Sequence, residues 1–199
     1  MHDTATLLAA AASGDQASWD ELVRRHTNLL WSVARSFRLG AADAGDAVQM
    51  GWLRLVENLD RITAPDRLDS WLATTVRREC LRILRRTGRE SPIAGDDAAL
   101  DVPDTTELDT KLLADERDAE LWTAFAGMSQ PCQRLLRVLM ATPPPSYAAV
   151  AAALDMPIGS IGPTRARCLK RLRSLLQTTG GLVEAGDVPP AEGSDHASQ

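Results

Sequence analysis

Aromatic side chains are scarce in this chain: five Trp, two Phe and one Tyr make up 4% of its 199 residues. With abundant Ala, Leu and Arg, that scarcity favours helix over strand. No apolar run approaches the roughly 18 residues a membrane span needs, and no basic segment followed by an apolar stretch and cleavage site opens the chain. The expectation is a cytoplasmic protein. Cysteine is also sparse, and Cys80, Cys132 and Cys168 are odd in number and far apart, with no Cys-x-x-Cys pair. His2, His26 and His196 are too scattered to complete a metal site or a catalytic triad. The cysteines therefore read as buried free thiols, with no metal and no cofactor. A phosphate-cradling loop is missing, which argues against ATP hydrolysis. No nucleophile beside a base and no carboxylate cluster emerges, so an enzyme is not expected.

What is present begins with globular proportions, 44% hydrophobic and 25% charged residues, which allow one ordinary domain or two small ones. The formal net charge of −5 conceals an uneven distribution. Between Gly88 and Thr110 stand seven acids (Glu90, Asp96, Asp97, Asp101, Asp104, Glu107 and Asp109) against the single base Arg89, a net of −6. From Gly180 onward, Glu184, Asp187, Glu192 and Asp195 contribute −4. The remainder is net +5, so two basic bodies are joined and trailed by acidic segments, a distribution compatible with nucleic-acid binding.

Apolar residues recur at spacings of three and four from Thr4 to about Arg86, predicting three or four amphipathic helices. Leu22, Leu29, Leu30, Val33 and Phe37 form one stripe; Val48, Trp52, Leu55, Val56 and Leu59 a second; Trp71, Leu72, Val76, Cys80, Leu81 and Leu84 a third. Trp19, Trp31, Trp52 and Trp122 read as packing residues, and Trp71 reads more as core than as a stacking platform. The acidic segment carries Pro92 and Pro103 without helical period and reads as a solvated linker. Helices are then expected over Leu112–Ala126, Pro131–Met140, Tyr147–Leu154 and Ser160–Gln177, followed by a disordered tail. The fold class is all-α: a domain at 1–88, an acidic flexible linker at 89–111, a second small helical domain at 112–178 and a tail at 179–199.

The window SYAAVAAALDMPIGSIGPTRARCLKRLRSLL, residues 146–176, carries the most chemistry. Ser146 suits the N-cap of a short helix whose alanines permit close approach of another helix. A tight turn over Asp155 to Gly159 leads to a second helix, with Ser160 as its cap and Pro163 in its first turn, where amides lack intrahelical partners. That helix carries Arg165, Arg167, Lys170, Arg171 and Arg173 opposite an apolar side. Short helix, tight turn and basic second helix fit a helix-turn-helix that lays its second helix in the major groove.

This window resembles region 4 of bacterial sigma factors, as does the preceding LWTAFAGMSQPCQRLLRVLM. Gly162-Pro163-Thr164 departs from the family's usual Lys-Ser-Arg. In the first half, ELVRRHTNLLWSVARSF (21–37), DAGDAVQMGWLRLVENLDRI (43–62) and DSWLATTVRRECLRILRR (69–86) resemble, in order, regions 2.1, 2.2 and 2.3–2.4 of the same family. Met50 stands where an acid is frequent, and Arg78 where Asn is common. Three blocks in order, a linker and region 4, with no region 3 between, resemble the small extracytoplasmic-function type.

That resemblance implies a factor that binds the β′ and β subunits of core RNA polymerase, recognises promoter DNA at its minus-thirty-five and minus-ten elements, and promotes initiation with binding energy alone. It implies Asp43, Asp46 and Gln49 for polymerase binding; Ser160, Thr164, Arg165, Arg167, Lys170 and Arg171 for the minus-thirty-five duplex; and Trp71, Arg77, Arg78, Arg82 and Arg85 for the minus-ten element. An anti-sigma protein is a further candidate partner, and the acidic linker is expected to enter the path of nascent RNA. The competing reading, an autonomous helix-turn-helix regulator, needs a dimer interface or sensor domain, and the first half shows neither a sustained heptad pattern nor a sensor signature.

Overall fold

The computed structural model describes residues 3–88 and 114–180. The linker expected at 89–111, with its proposed path, and the tail beyond Gly180 lie outside the described residues. Every regular element among them is helical, in keeping with the all-α class.

Local chemistry sets the helix starts. Asp3 caps α1 (Thr4–Ala12) by accepting the Thr6 amide at 2.7 Å, and Asp15 caps α2 (Gln16–Ser36) by accepting the Ser18 amide at 2.8 Å. Between them Gly14 turns the chain at a φ of +90°, a conformation open to residues without a Cβ. Next come α3 (Ala41–Val56), two short 3₁₀ turns at Leu59–Arg61 and Pro65–Arg67, and α4 (Leu68–Arg86). Leu22, Leu30, Val33, Leu55, Leu68, Leu72, Val76 and Cys80 are fully buried among these helices. Gly51 lets α3 approach α4 closely, since a Cβ there would lie 2.7 Å from Val76 Cγ2.

The second half comprises α5 (Ala114–Ala126), α6 (Gln130–Leu139), α7 (Tyr147–Leu154) and α8 (Ile158–Gly180). Leu135, Val138, Val150, Ile161 and Cys168 form its buried centre. Gln133, also buried, donates its amide to the Ala126 and Met128 carbonyls at 2.9 and 2.7 Å and so closes the α5–α6 turn.

Several expectations are corrected. Val56 and Trp122, read as packing residues, are 50% and 60% exposed; the helical period detects an apolar stripe but not whether the chain itself covers it. In α4, Ile83 is buried where Leu81 and Leu84 are only half-buried. Helix α8 begins two residues before Ser160, because the fixed φ of Pro157 already suits helix entry, and it runs to Gly180, into the expected tail. Ser160 therefore is not the cap: its hydroxyl donates to the Pro157 carbonyl at 2.7 Å. Pro163 then falls in the second turn, where it removes a bond to the Gly159 carbonyl. Finally, Cys132 and Cys168 are joined in a disulfide between α6 and α8, whereas Cys80 is a buried free thiol, as expected.

The two halves are docked. Helix α7 lies on α4 and α6 on α2. Across the seam, Asn28 Nδ2 donates to the Thr142 carbonyl at 2.6 Å, Arg38 to Gln133 Oε1 at 2.8 Å, and the Ser146 hydroxyl to Asp69 Oδ2 at 2.6 Å. Arg77 pairs with Asp155 at 2.5 Å. The Arg134 guanidinium lies 4.2 Å from the Phe37 ring centroid, a cation–π contact.

Candidate nucleic-acid and polymerase interfaces

Helix α8 is placed by the helix-turn-helix itself. Ser146 caps α7, accepting the Ala149 amide at 3.1 Å, and Asp155 ends it in the left-handed region at a φ of +57°, which a short polar side chain tolerates better than most. The chain then turns into α8, whose Ile161 and Cys168 are buried against the rest of the domain. Ser160, Thr164, Arg167 and Arg171, spaced by four, three and four, form one stripe along the helix. Arg165, Arg167, Lys170 and Arg171 are exposed, while Ser160 and Thr164 are half-buried. Thr164 Oγ1 accepts from Arg167 at 3.2 Å, which braces that guanidinium on the outer face.

On α4 the expected minus-ten set divides. Trp71, Arg78, Arg82 and Arg85 lie toward one side of the helix, the three arginines exposed and the indole half-buried against the core. Arg82 is oriented by Glu79 at 2.6 Å. Arg77 projects from the neighbouring face and is engaged by Asp155 of the helix-turn-helix. Asp69 at the start of α4 is likewise held by Ser146.

On α3, Asp46 and Gln49 are exposed and Asp43 is half-buried. Their stripe continues through two residues the sequence reading did not single out for binding, Leu53 and Val56, which are 48% and 50% exposed. Their i, i+3, i+7 and i+10 spacing was the available signal. A shallow cleft between α3 and α4 is lined by Asp46, Gln49, Met50, Arg82, Ile83 and Arg86, so the expected polymerase face and the α4 arginine row share a border. Among the described residues there is no cluster of three or more metal-ligating side chains and no helix long and apolar enough to cross a membrane.

The family model for Sigma-70 region 2 matches residues 22–90, which runs from within α2 through the end of α4. Across nearly the whole chain, the ECF RNA polymerase sigma factor SigM of Mycobacterium tuberculosis is 31% identical over 189 residues, covering 89% of this chain and 85% of SigM. The chain belongs to the extracytoplasmic-function family of RNA polymerase sigma factors. This sigma factor is also 28% identical over 169 residues to the ECF RNA polymerase sigma factor SigE of Mycolicibacterium smegmatis, covering 83% of this chain and 65% of that one. Among solved structures, CnrH in complex with the cytosolic domain of CnrY aligns with a TM-score of 0.55 and 25% identity over 88% of this sigma factor and 97% of CnrH. The sigma factor RpoE bound to the anti-sigma factor NepR from Bartonella quintana shares the fold, at a TM-score of 0.52 and 21% identity over 80% of this chain and 96% of RpoE.

Proposed function

We propose that this sigma factor docks on core polymerase through the exposed stripe of α3 and reads its promoter with two surfaces, α8 on the minus-thirty-five duplex and the Trp71, Arg78, Arg82 and Arg85 side of α4 on the minus-ten element. The observation that carries the reading is a pair of exposed rows of basic side chains, one on α4 and one on α8. Such rows neutralise phosphates and make binding salt-dependent. Bases of a melted strand expose edges and π-faces that arginines and an indole can hold. Each surface offers few contacts, so useful affinity requires both to be tethered to one scaffold. Asp46, Gln49, Leu53 and Val56 supply the mixed apolar and polar character of a protein-docking patch.

Promoter binding then requires the halves to part. Elements about 25 base pairs apart are separated by about 85 Å at 3.4 Å per pair, whereas α7, immediately before α8, lies directly on α4. The seam suits separation. Side-chain hydrogen bonds and an ion pair cross it, Asp155 is 75% exposed, and Arg134 Nε is buried without a hydrogen-bond partner. Burial first, and the nearby Arg77 charge second, oppose the positive charge on Arg134. An anti-sigma protein, the class of partner that NepR is for RpoE, is the expected antagonist of polymerase docking.

Titration of labelled core polymerase with the purified chain tests this reading. Leu53→Glu and the triple variant Asp46→Ala, Gln49→Ala, Leu53→Ala are expected to weaken binding at least about tenfold without lowering the unfolding temperature. Core affinity equal to wild type in both variants contradicts α3 as the docking surface.

A further inference from the structure

The disulfide lies at a revealing place. Cys132 is in the first turn of α6 and half-buried; Cys168 is in the middle of α8, between the exposed Arg167 and Lys170, and fully buried. Their Cα atoms are 5.4 Å apart, within the span a disulfide bridges. Cys132 also immediately precedes Gln133 and Arg134, whose side chains meet Arg38 and Phe37 of the first half. One covalent link therefore ties the basic helix to the helix that touches the seam.

We propose that Cys132 and Cys168 form a reversible thiol–disulfide exchange site whose co-substrate is the disulfide of a low-molecular-weight thiol, RSSR. The site stands independently of what α8 reads. Cys132 is the entry thiol: it is the more accessible of the two, and the unpaired amides and dipole of a helix N-terminus favour its thiolate. Its thiolate attacks one sulfur of RSSR, forming the mixed disulfide Cys132–S–S–R and releasing RS⁻, which takes up the proton Cys132 gave to solvent. Cys168, shielded from RSSR by burial, then loses its proton and attacks the Cys132 sulfur, expelling the second RS⁻. The protein loses two electrons and two protons, and RSSR becomes two RSH. Excess RSH reverses the sequence. Cys80 is a built-in control: burial pushes its thiol up to about 12, so it stays protonated and unreactive.

Closing this link removes freedom from the unfolded chain over a sequence separation of 36 residues, so the oxidised domain holds α8 more firmly. The expected rise in unfolding midpoint is about 5–10 °C.

The test equilibrates the full chain in buffers of set reduced-to-oxidised glutathione ratio, quenches in acid, unfolds, alkylates and maps the thiols by mass. Expected are joint loss of two thiols with a common midpoint, a peptide linking Cys132 to Cys168, Cys80 alkylated throughout, and a higher unfolding midpoint for the oxidised form. Cys168→Ser should stall as a glutathione adduct on Cys132, and Cys132→Ser should form neither adduct nor link. Should Cys168→Ser fail to fold, the wild-type linkage map and midpoint decide alone. Three alkylatable thiols at the most oxidising ratio, reaction first at Cys80, intermolecular dimers in place of the internal link, or equal midpoints for the two forms would each overturn the proposal.

Discussion

Replacing Gly51 by Ala probes the contact that sets the spacing between α3, the proposed polymerase face, and α4, the proposed minus-ten face. In most helix interiors Gly→Ala stabilises by about 1 kcal/mol through backbone entropy. At Gly51 the new methyl would sit 2.7 Å from Val76 Cγ2, well inside ordinary contact distance. Val76 is completely buried, and its β-branched side chain has little rotamer freedom in a helix, so the helices must separate instead. Overpacking of this kind costs about 1–3 kcal/mol, leaving a net loss of about 1 kcal/mol after the propensity gain. Gly45, six positions earlier on the same helix, is the internal control: its Cβ would meet Trp31 Cη2 at 3.7 Å, an ordinary contact, so Gly45→Ala should stabilise by about 0.5–1 kcal/mol. Val76→Ala alone should cost about 2 kcal/mol, and the double variant Gly51→Ala, Val76→Ala should show favourable coupling of about 1 kcal/mol or more. Urea unfolding followed by circular dichroism and Trp fluorescence measures all four. A Gly51→Ala variant as stabilised as Gly45→Ala, or a cycle without coupling, would mean that α3 and α4 have room for a methyl at Gly51.

Other consequences are as specific. Substituting Arg165 and Arg167 with Ala should each remove about 1–3 kcal/mol of upstream-element recognition with less effect on core binding, read as lost promoter selectivity in run-off transcription; unchanged selectivity in the double variant counts against α8 as the reader. Asp155→Asn, which keeps a short polar side chain at the left-handed position, removes the charge that holds Arg77 at the seam for a stability cost under about 1 kcal/mol, because solvent screens so exposed a partner; small-angle scattering should report a larger radius of gyration, and an unchanged radius argues that the pair does not hold the halves. Burial, the largest influence on His26, lowers its pKa from 6.5, partly offset by Asp69 and reinforced by Arg25. The folded chain thus resists a proton that the unfolded chain accepts, so stability should fall as pH drops through 6.5. His26→Leu should flatten that slope, and a slope equal to wild type contradicts the assignment.

Much of this architecture was legible because helices announce themselves by period and by caps: α7 matches its expected bounds at both ends, fixed by Ser146 and by the turn that begins at Asp155. The exposed basic residues of α8 were legible for the same reason, since a helix with one apolar side leaves the other to solvent. The start of α8 was not, because Pro157 and Ser160 are both acceptable near a helix entry and only the backbone chooses between them. Nor could the docking of the halves be read, since Arg77 and Asp155 stand 78 residues apart and many other opposite charges could have paired. The Cys132–Cys168 link had the same difficulty. Val56 and Leu53 show a subtler limit: an apolar stripe proposed to meet another protein looks, in sequence, like one that meets the protein's own core.

Whether this sigma factor directs core polymerase to promoters through surfaces too weak to act alone is decided by reconstitution. Core polymerase, the purified chain and fragments of the genome that encodes it are combined, and transcript 5′ ends are mapped with and without the chain. Defined start sites are expected only when both proteins are present, together with weak DNA binding by the isolated chain. Tight sequence-specific binding by the chain alone, with no new start sites on adding it to core polymerase, would contradict it.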